Sequence, residues 1–287
     1  MSVSNLEKIF YPSSIAVVGA SENKFKWGSY IYTNLVDGGF AGPVYPVTIG
    51  KETIYGSRAY PSLKEIPGDV DLVFITTPAE TVMGVLRDCT AKGIKNVVMI
   101  TSGFGETGPE GKKIERDMVD YCRANGILIV GPNTMGIINT AAKLYATGTH
   151  VRPKRGTISV VAQSGNVGNQ IMEWAEQQDI GMGKFIGSGN EGVLRCEDYL
   201  EYLFHDKDTS VIVMYLEGVD DGRRFMEIAT KTSVKKPVIV LKSGRTDAGG
   251  KAAASHTGAM AGSYRMYESA LRQSGVVIAK NPTDLLY

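Results

Sequence analysis

Short apolar runs rich in β-branched residues alternate with amphipathic segments along the whole chain, and this alternation limits the fold more than any other feature. In the first half the runs fall at 14–19, 44–47, 71–76, 96–101 and 127–131, with helical patterns near 28–38, 79–92 and 110–125. The second half repeats the rhythm at 157–163, 184–186, 211–216, 237–241 and 276–278. Such alternation is typical of parallel sheets covered by helices, so we predict an α/β protein with two doubly wound units.

The length and the junction between the halves predict two domains. A chain of 287 residues can form two cores of ordinary size. Segment 141–156 lacks strong periodicity and contains Gly148, Pro153 and Gly156, so we place the boundary near residue 152, between domains 1–152 and 153–287. A turn and helix start at 281–283 is followed by only a few residues, too few for a stable helix, so we expect a longer natural protein.

Composition argues against several classes of function. The formal net charge is +1, from 31 basic and 30 acidic residues without a basic run, which predicts no nucleic-acid partner and no membrane surface. Cys89, Cys122 and Cys196 are odd in number and unclustered, which argues against a disulfide framework and against a metal site. Neither a signal peptide nor a membrane span is recognisable, so we expect a soluble, cytoplasmic protein.

Strand ends in the first half carry loops suited to a phosphate-containing ligand. The turn VVGAS (17–21) can direct main-chain amides at a phosphate, and Lys26 beyond it is either a phosphate ligand or a plain surface lysine. The turn lacks the GxGxxG pattern, and no acidic residue follows the second run, which weakens a dinucleotide site without excluding it. Loops 76–80, 101–106 and 131–136 should line one crevice with it, because ligands bind at the carboxyl ends of parallel strands.

Two features of the second half suit an anion and a histidine. Ser164 and Gly165 open a helix after a strand, which provides an anion seat or ordinary capping. Glu217 follows the run VIVMYL and is either a surface carboxylate or a group that orients a histidine.

A loop of small residues carries a single histidine. From 243 to 262, 13 of 20 positions are Gly, Ala or Ser, so this loop is suited to movement rather than to core packing. Imidazole can hold a phosphoryl group transiently. We therefore hypothesise that His256 becomes a phosphohistidine, and the alternative is a solvated loop histidine without a role.

Taken together, VVGAS, SGFGE, GPN, AQSG, a strand ending in EG before DGRRF, and LKSGRT with SHTGAMAG resemble the NDP-forming acyl-CoA synthetases. The resemblance is close to the ADP-forming acetyl-CoA synthetase α part and more distant to the succinyl-CoA synthetase α subunit. It covers essentially the whole chain. It implies a Rossmann-like CoA-binding domain followed by a flavodoxin-like doubly wound ligase domain. Segment 188–203 is similar to longer fused members at GNE and DYLEYL.

The resemblance also implies a mechanism and its residues. An acyl phosphate phosphorylates His256, which passes the phosphoryl group to a nucleotide. Glu217 orients and stabilises His256, while Ser164 and Gly165 hold the phosphoryl group. The residues implied for CoA contact are Gly19, Ala20, Ser21, Lys26, Pro46, Val47, Thr77, Pro78, Thr101, Ser102 and Asn133. No residue of this chain is implied as a metal ligand.

The family also implies components that this sequence does not contain. Its members need an ATP-grasp domain that binds ATP or ADP with Mg²⁺, and the sequence has neither that domain nor a P-loop. We therefore expect an ATP-grasp partner, as a β subunit or a missing C-terminal part, in an oligomer of the α2β2 or fused-dimer type. The alternatives are a non-catalytic acyl-CoA sensor, weakened by the intact SHTGA motif, and an NAD-dependent Rossmann oxidoreductase. The acid substrate and the choice between ADP and GDP stay open.

Overall fold

Two mainly parallel sheets organise the protein, one for each half of the alternating sequence pattern. The structure is a computed structural model and describes residues 4–245 and 264–285. The first part contains α1 (Ser4–Phe10), β1 (Ile15–Val18), α2 (Trp27–Asp37), β2 (Val44–Val47), β3 (Thr53–Ile54), β4 (Ser57–Arg58), β5 (Leu72–Ile75), α3 (Ala79–Lys92), β6 (Asn96–Met99), α4 (Pro109–Asn125) and β7 (Leu128–Val130).

The second part contains one antiparallel hairpin and a further series of strands and helices. In chain order they are β8 (Gly136–Asn139), β9 (Leu144–Thr147), β10 (Arg155–Ala162), α5 (Gly165–Gln177), β11 (Met182–Gly187), α6 (Cys196–His205), β12 (Val211–Leu216), α7 (Gly222–Ser233), β13 (Val238–Lys242), α8 (Tyr264–Gln273) and β14 (Val277–Ile278). Every strand expected from the sequence is present, and the three expected helices of the first half begin and end within one residue of their predicted bounds.

Both sheets share one strand order. The first sheet is β2-β1-β5-β6-β7 and is parallel throughout. The second is β14-β13-β12-β10-β11-β8-β9, parallel except for the pairs that involve β8. Numbered along the chain, the parallel strands of each sheet follow the doubly wound order 2-1-3-4-5. The direction of winding therefore reverses between β1 and β5 in the first sheet and between β10 and β12 in the second. The predicted α/β class with two doubly wound units is confirmed.

The central strands are apolar along their length because helices cover both faces of each sheet. All four residues of β1, β5 and β6 are buried. A strand buried on both faces has no need of polar residues at alternate positions, and this produces continuous apolar runs such as IAVV and LVFI. These runs were the signal that predicted the strands correctly.

The hairpin β8–β9 was not expected from the sequence. It precedes residue 152, yet β8 pairs with β11, where Ile138 lies opposite Phe185. Neither strand follows the alternation of apolar runs and helical segments. Strand β8 is held by pairing with β11, more than 40 positions away, and β9 pairs with β8 at the edge of the sheet. The second sheet thus includes strands from the part of the chain assigned to the first domain, and the division at residue 152 stays a prediction.

The two halves also share a core. Phe10 of α1 stacks on Tyr202 of α6 with 4.8 Å between ring centroids. Beside them, the fully buried Lys184 of β11 forms an ion pair of 2.7 Å with Asp206 and lies 5.0 Å from the Tyr11 ring. The chain segment that precedes the first sheet is therefore packed into the second half.

Candidate functional site

A cavity of about 570 Å³ lies where the winding of the first sheet reverses, at the carboxyl ends of β1 and β5. Loops leave these two strands toward opposite faces, which opens a crevice. Gly19 in the loop after β1 has φ +92°, and a Cβ there would lie 2.6 Å from the Thr76 hydroxyl oxygen. A Cβ on Gly28 would lie 1.9 Å from the Gly19 carbonyl oxygen. Helix α2 therefore begins in direct contact with this loop, and its first residues line the cavity.

Most of the residues expected to contact CoA meet in this first cavity. The loop after β1 contributes Gly19, Ala20, Ser21 and Lys26, and the next two strand ends contribute Thr77, Pro78, Thr101 and Ser102. Pro46 and Val47 lie instead in the neighbouring strand β2, where the Val47 carbonyl accepts hydrogen bonds from the Gly19 and Ala20 amides at 2.9 and 3.3 Å. Asn133 lies at a second cavity. Contact of these residues with CoA stays a prediction.

The lining of the first cavity suits a phosphate-bearing nucleotide. Hydroxyl groups of serine and threonine side chains are combined with the ammonium group of Lys26. Phe25, whose exposed fraction is 93%, and Trp27 add aromatic surface at the same cavity. Phosphates favour such donors and cations, and a nucleobase favours an aromatic face.

A second cavity of about 570 Å³ lies at the corresponding place of the second sheet, at the carboxyl ends of β10 and β12. Gln163 follows β10, and Glu217 and Gly218 follow β12. The side-chain carbonyl of Gln163 accepts hydrogen bonds from both of those amides, the one from Gly218 at 3.0 Å. Its Nε2 donates to the Gly218 carbonyl at 2.9 Å. One side chain therefore fixes the turn that presents Glu217 to the cavity.

Glu217 is further fixed by the last residue of β13. The Nζ of Lys242 donates to the carbonyl oxygens of Glu217 and Ser243, each at 2.8 Å, and lies 4.6 Å from the centre of the Tyr267 ring. Burial lowers the pKa of Lys242, while the Glu217 charge acts in the opposite direction. A carboxylate on a main chain fixed in this way can orient an imidazole and stabilise its cationic form.

Ser164 and Gly165 begin helix α5 directly after Gln163. The Ser164 hydroxyl accepts a hydrogen bond from the Val167 amide at 3.4 Å, so the expected N-cap is present. A Cβ on Gly165 would lie 3.3 Å from the Met135 Cβ, which shows that the loop after β7 approaches the helix start. The helix dipole favours an anion at this end. Phosphate binding here stays a prediction.

The first half of the chain supplies the other wall of the second cavity. Asn190 donates to the carboxylates of Glu106 and Glu115 at 2.6 and 2.8 Å, and Asn133 donates to the Asn190 side-chain oxygen at 3.2 Å. Burial would raise the pKa of Glu106, but hydrogen bonds from Asn190 and main-chain amides, including that of Gly103 at 2.6 Å, outweigh it and lower the pKa. The network joins loops that follow β6, β7 and β11.

The two cavities meet at one loop. Thr101 and Ser102 line the first cavity, whereas Gly105 and Glu106 line the second. Loop 101–106 therefore contributes to the walls of both cavities.

Sequence reasoning missed Glu191 as a site residue. It lines the second cavity, and its carboxylate accepts a hydrogen bond from the Ser188 hydroxyl at 2.7 Å. The available signal was the GNE motif directly after β11, another polar segment at the carboxyl end of a parallel strand.

His256, the predicted phosphoryl carrier, lies outside the described residues. Across residues 4–245 and 264–285, no helix has the length and apolarity needed to cross a bilayer. The same ranges contain no cluster of His, Cys, Asp and Glu side chains able to hold a metal ion.

Comparison with known proteins identifies both halves. Residues 13–140 match the CoA binding domain family, and residues 155–287 match the succinyl-CoA ligase like flavodoxin domain. The chain is 46% identical over 281 residues to the alpha subunit of acetate–CoA ligase [ADP-forming] II of Pyrococcus furiosus, covering 98% of this chain and 61% of that protein. It is 40% identical to 4-hydroxybutyrate–CoA ligase [ADP-forming] of Nitrosopumilus maritimus, covering 94% of this chain and 39% of that protein.

The fold agrees with these matches. The dinucleotide forming acetyl-coenzyme A synthetase 1 of Ca. Korarchaeum cryptofilum, solved in complex with phosphate and ADP, superposes with a TM-score of 0.94 at 40% identity. The similarity covers 98% of this chain and 60% of that one, so the chain spans less than two thirds of the length of these relatives. The chain belongs to the family of NDP-forming acyl-CoA synthetases and comprises its CoA-binding and succinyl-CoA-ligase-like flavodoxin domains.

Proposed function

We propose that the chain is the CoA-binding and phosphohistidine-bearing part of an acid–thiol ligase that interconverts acyl-CoA, ADP and phosphate with the free acid, CoA and ATP. The observation that carries this proposal is the position of the two cavities, each at the winding reversal of its sheet and joined by loop 101–106. The relatives reported above are named as CoA ligases and synthetases, which favours this function over an acyl-CoA sensor or an NAD-dependent oxidoreductase.

CoA occupies the first cavity in this proposal, with its phosphates near the loop after β1 and near Lys26. Its pantetheine arm passes Thr101 and Ser102, so that the sulfur enters the second cavity. There, phosphate attacks the carbonyl carbon of the acyl-CoA. The carbon–sulfur bond breaks, CoA leaves as the thiol, and an acyl phosphate forms.

The phosphoryl group then moves to His256. A ring nitrogen attacks phosphorus, the bond to the acyl oxygen breaks, and the carboxylic acid leaves. Glu217 orients the imidazole and stabilises its positive charge, while the start of α5 at Ser164 and Gly165 holds the phosphoryl oxygens. The phosphohistidine finally transfers its phosphoryl group to a β-phosphate oxygen of ADP.

This last step requires a component beyond the present chain. An ATP-grasp domain or β subunit holds ADP or ATP with Mg²⁺ in the proposal, and the relatives are considerably longer than the region that matches this chain. We propose an assembly of the α2β2 or fused-dimer type, acting in the cytoplasm on a small organic acid. The three cysteines are buried free thiols, which supports a reducing compartment.

A labelling experiment tests the central step. The complete enzyme, containing this chain and its ATP-grasp part, is incubated with γ-³²P ATP and Mg²⁺. We expect protein-bound phosphate that is stable to base and labile to acid, the behaviour of a phosphohistidine. The variant His256→Ala should lose the label.

The matched control is His205→Ala, because His205 is an exposed histidine at the end of α6. It should be labelled like the wild type. Labelling that persists in His256→Ala would remove the phosphohistidine from the proposal.

A further inference from the structure

Glu191 is a carboxylic acid held in an unusual position at the second cavity. Its backbone has φ +56°, a conformation that few residues other than glycine adopt. Its carboxylate accepts a hydrogen bond from Ser188, a residue with no exposed surface. Backbone strain of this kind persists only where the surroundings enforce it and is common at functional sites.

The loop that carries Glu191 is fixed by close contact with the loop after β7. A Cβ on Gly189 would lie 2.3 Å from the Pro132 carbonyl oxygen, and one on Gly187 would lie 2.8 Å from the Thr134 hydroxyl oxygen. The Asn190 amide also donates to the Pro132 carbonyl at 2.9 Å. Glu191 therefore has a fixed place between the two halves of the chain.

The surroundings of Glu191 change its acidity. Burial raises the pKa of this carboxyl to about 7, although hydrogen bonding from Ser188, Gln163 and the Cys196 amide favours the ionised form. Glu106 lines the same cavity, and its pKa is lowered. Two carboxyl groups in one cavity thus have different acidities, a pattern that often separates a proton carrier from a fixed charge.

Other ionisable groups either interact with Glu191 or line the same cavity. The helix that follows it contributes Cys196, Glu197 and Tyr199. The segment after β12 contributes Glu217 and Asp220, and the first half of the chain contributes Glu106, Lys112, Glu115 and Arg116. Glu197 acts in the same direction as burial.

We propose that Glu191 carries the proton that passes between the CoA sulfur and the phosphate oxygen during acyl transfer. This inference rests on the function proposed above. When CoA attacks an acyl phosphate, the Glu191 carboxylate takes the thiol proton as the sulfur–carbon bond forms. The carbon–oxygen bond to phosphate then breaks, and Glu191 returns the proton to the departing phosphate oxygen. In the reverse direction the proton passes from phosphate through Glu191 to the leaving sulfur.

The acidity of Glu191 matches both partners. A free thiol has a pKa of about 8.5. The leaving group is inorganic phosphate, which loses its second proton at a lower pH than a thiol loses its proton. A carrier with a pKa of about 7 is close enough to both groups that neither proton transfer is strongly uphill.

The test follows acetyl-CoA formation from acetyl phosphate and CoA by the complete enzyme without nucleotide, between pH 5.5 and 9. Glu191 accepts a proton only when it is ionised, so the wild-type rate should fall as the pH decreases through about 7. In Glu191→Gln the rate should fall by about 10² or more and lose this pH dependence. Glu191→Asp should restore part of the rate together with the pH dependence.

Two further measurements separate a chemical role from a structural one. Glu191→Gln should keep CoA binding by calorimetry and ³²P labelling of His256 from ATP, because neither requires the thiol proton. Glu173→Gln, the same change at an exposed site on α5, should retain the wild-type rate and pH dependence.

An unchanged rate and pH profile in Glu191→Gln would overturn the proposal while leaving the proposed function intact. Loss of CoA binding and labelling in that variant would overturn it as well, by showing a structural role. A wild-type enzyme that neither labels His256 nor forms acetyl-CoA would contradict the proposed function itself.

Discussion

Gln163 shows how one uncharged side chain can organise a reactive site. It accepts two hydrogen bonds from the turn after β12 and donates one to the same turn. The turn joins β12 to α7. Its Glu217 and Gly218 amides both donate to the side-chain oxygen of Gln163, so this one side chain holds the main chain of the turn in place. The main-chain position of Glu217 therefore depends on a residue that follows a different strand, β10.

We expect Gln163→Met to reduce phosphohistidine labelling several-fold and to lower the free energy of unfolding by about 1–3 kcal/mol, because the partly buried amides of Glu217 and Gly218 lose their acceptor. CoA binding should change little, because in the proposed function the CoA phosphates bind in the first cavity and Gln163 lines the second. Labelling with ³²P, thermal unfolding and calorimetry measure these effects. Gln170→Met, at an exposed position of α5, is the control and should behave as the wild type. Full labelling of Gln163→Met would show that the turn keeps Glu217 in place unaided.

At the scale of secondary structure, the start of α2 determines the shape of the first cavity. The helix begins against the loop after β1, and only a residue without a Cβ allows this approach at position 28. The turn after β1 lacks the second and third glycines of the GxGxxG pattern. Gly28 has the packing role of such a glycine, at a spacing that the usual pattern does not contain.

Gly28→Ala should destabilise the chain by about 1–3 kcal/mol, because the new Cβ would force α2 away from the Gly19 carbonyl. The rise in thermal midpoint produced by CoA, which would correspond to about 2.7 kcal/mol at 100 times Kd, should shrink or disappear. The control is Gly84→Ala within α3, where a Cβ meets nothing within 4 Å. There, the higher helix propensity of alanine should stabilise the chain by up to about 1 kcal/mol. Equal CoA-induced shifts in both variants would contradict the assigned role of α2.

At the scale of the whole molecule, the two halves are joined by a buried polar contact as well as by a shared apolar core. Lys184 of the second sheet pairs with Asp206, and Tyr11, which precedes the first sheet, contacts the Lys184 ammonium group and donates to Asp208 at 2.6 Å. A buried ion pair of this kind holds its partners in one geometry, because either charge alone would be unsolvated.

Lys184→Met should lower the free energy of unfolding by about 3–5 kcal/mol, since it leaves the Asp206 carboxylate buried without its cation. Lys154→Met is the control, because Lys154 forms an exposed ion pair with Asp179, whose side chain is 85% exposed. It should lower the free energy of unfolding by no more than about 1 kcal/mol. Urea unfolding followed by fluorescence measures both. Similar small losses in the two variants would show that the contact between the halves does not depend on this pair.

The alternating sequence pattern was sufficient to predict the α/β class, ten of the strands and most of the residues around the first cavity. This succeeded because the type of a buried strand or an amphipathic helix depends on residues close together in sequence. Strand ends such as 19–21, 76–78 and 101–102 follow directly from the strands, so they could be assigned to one crevice before the strand order was known.

The tertiary structure decided what depends on distant residues. The strand order, which places each cavity at a winding reversal, depends on pairing between distant strands. The hairpin β8–β9 belongs to the second sheet, and Asn133 lies at the second cavity instead of the first, for the same reason. The tertiary structure also made Glu191 weakly acidic, because that acidity comes from burial among segments that are far apart in the chain. Local sequence fixes which elements form, whereas pairing and desolvation depend on which surfaces are buried together, and no short stretch of sequence contains that information.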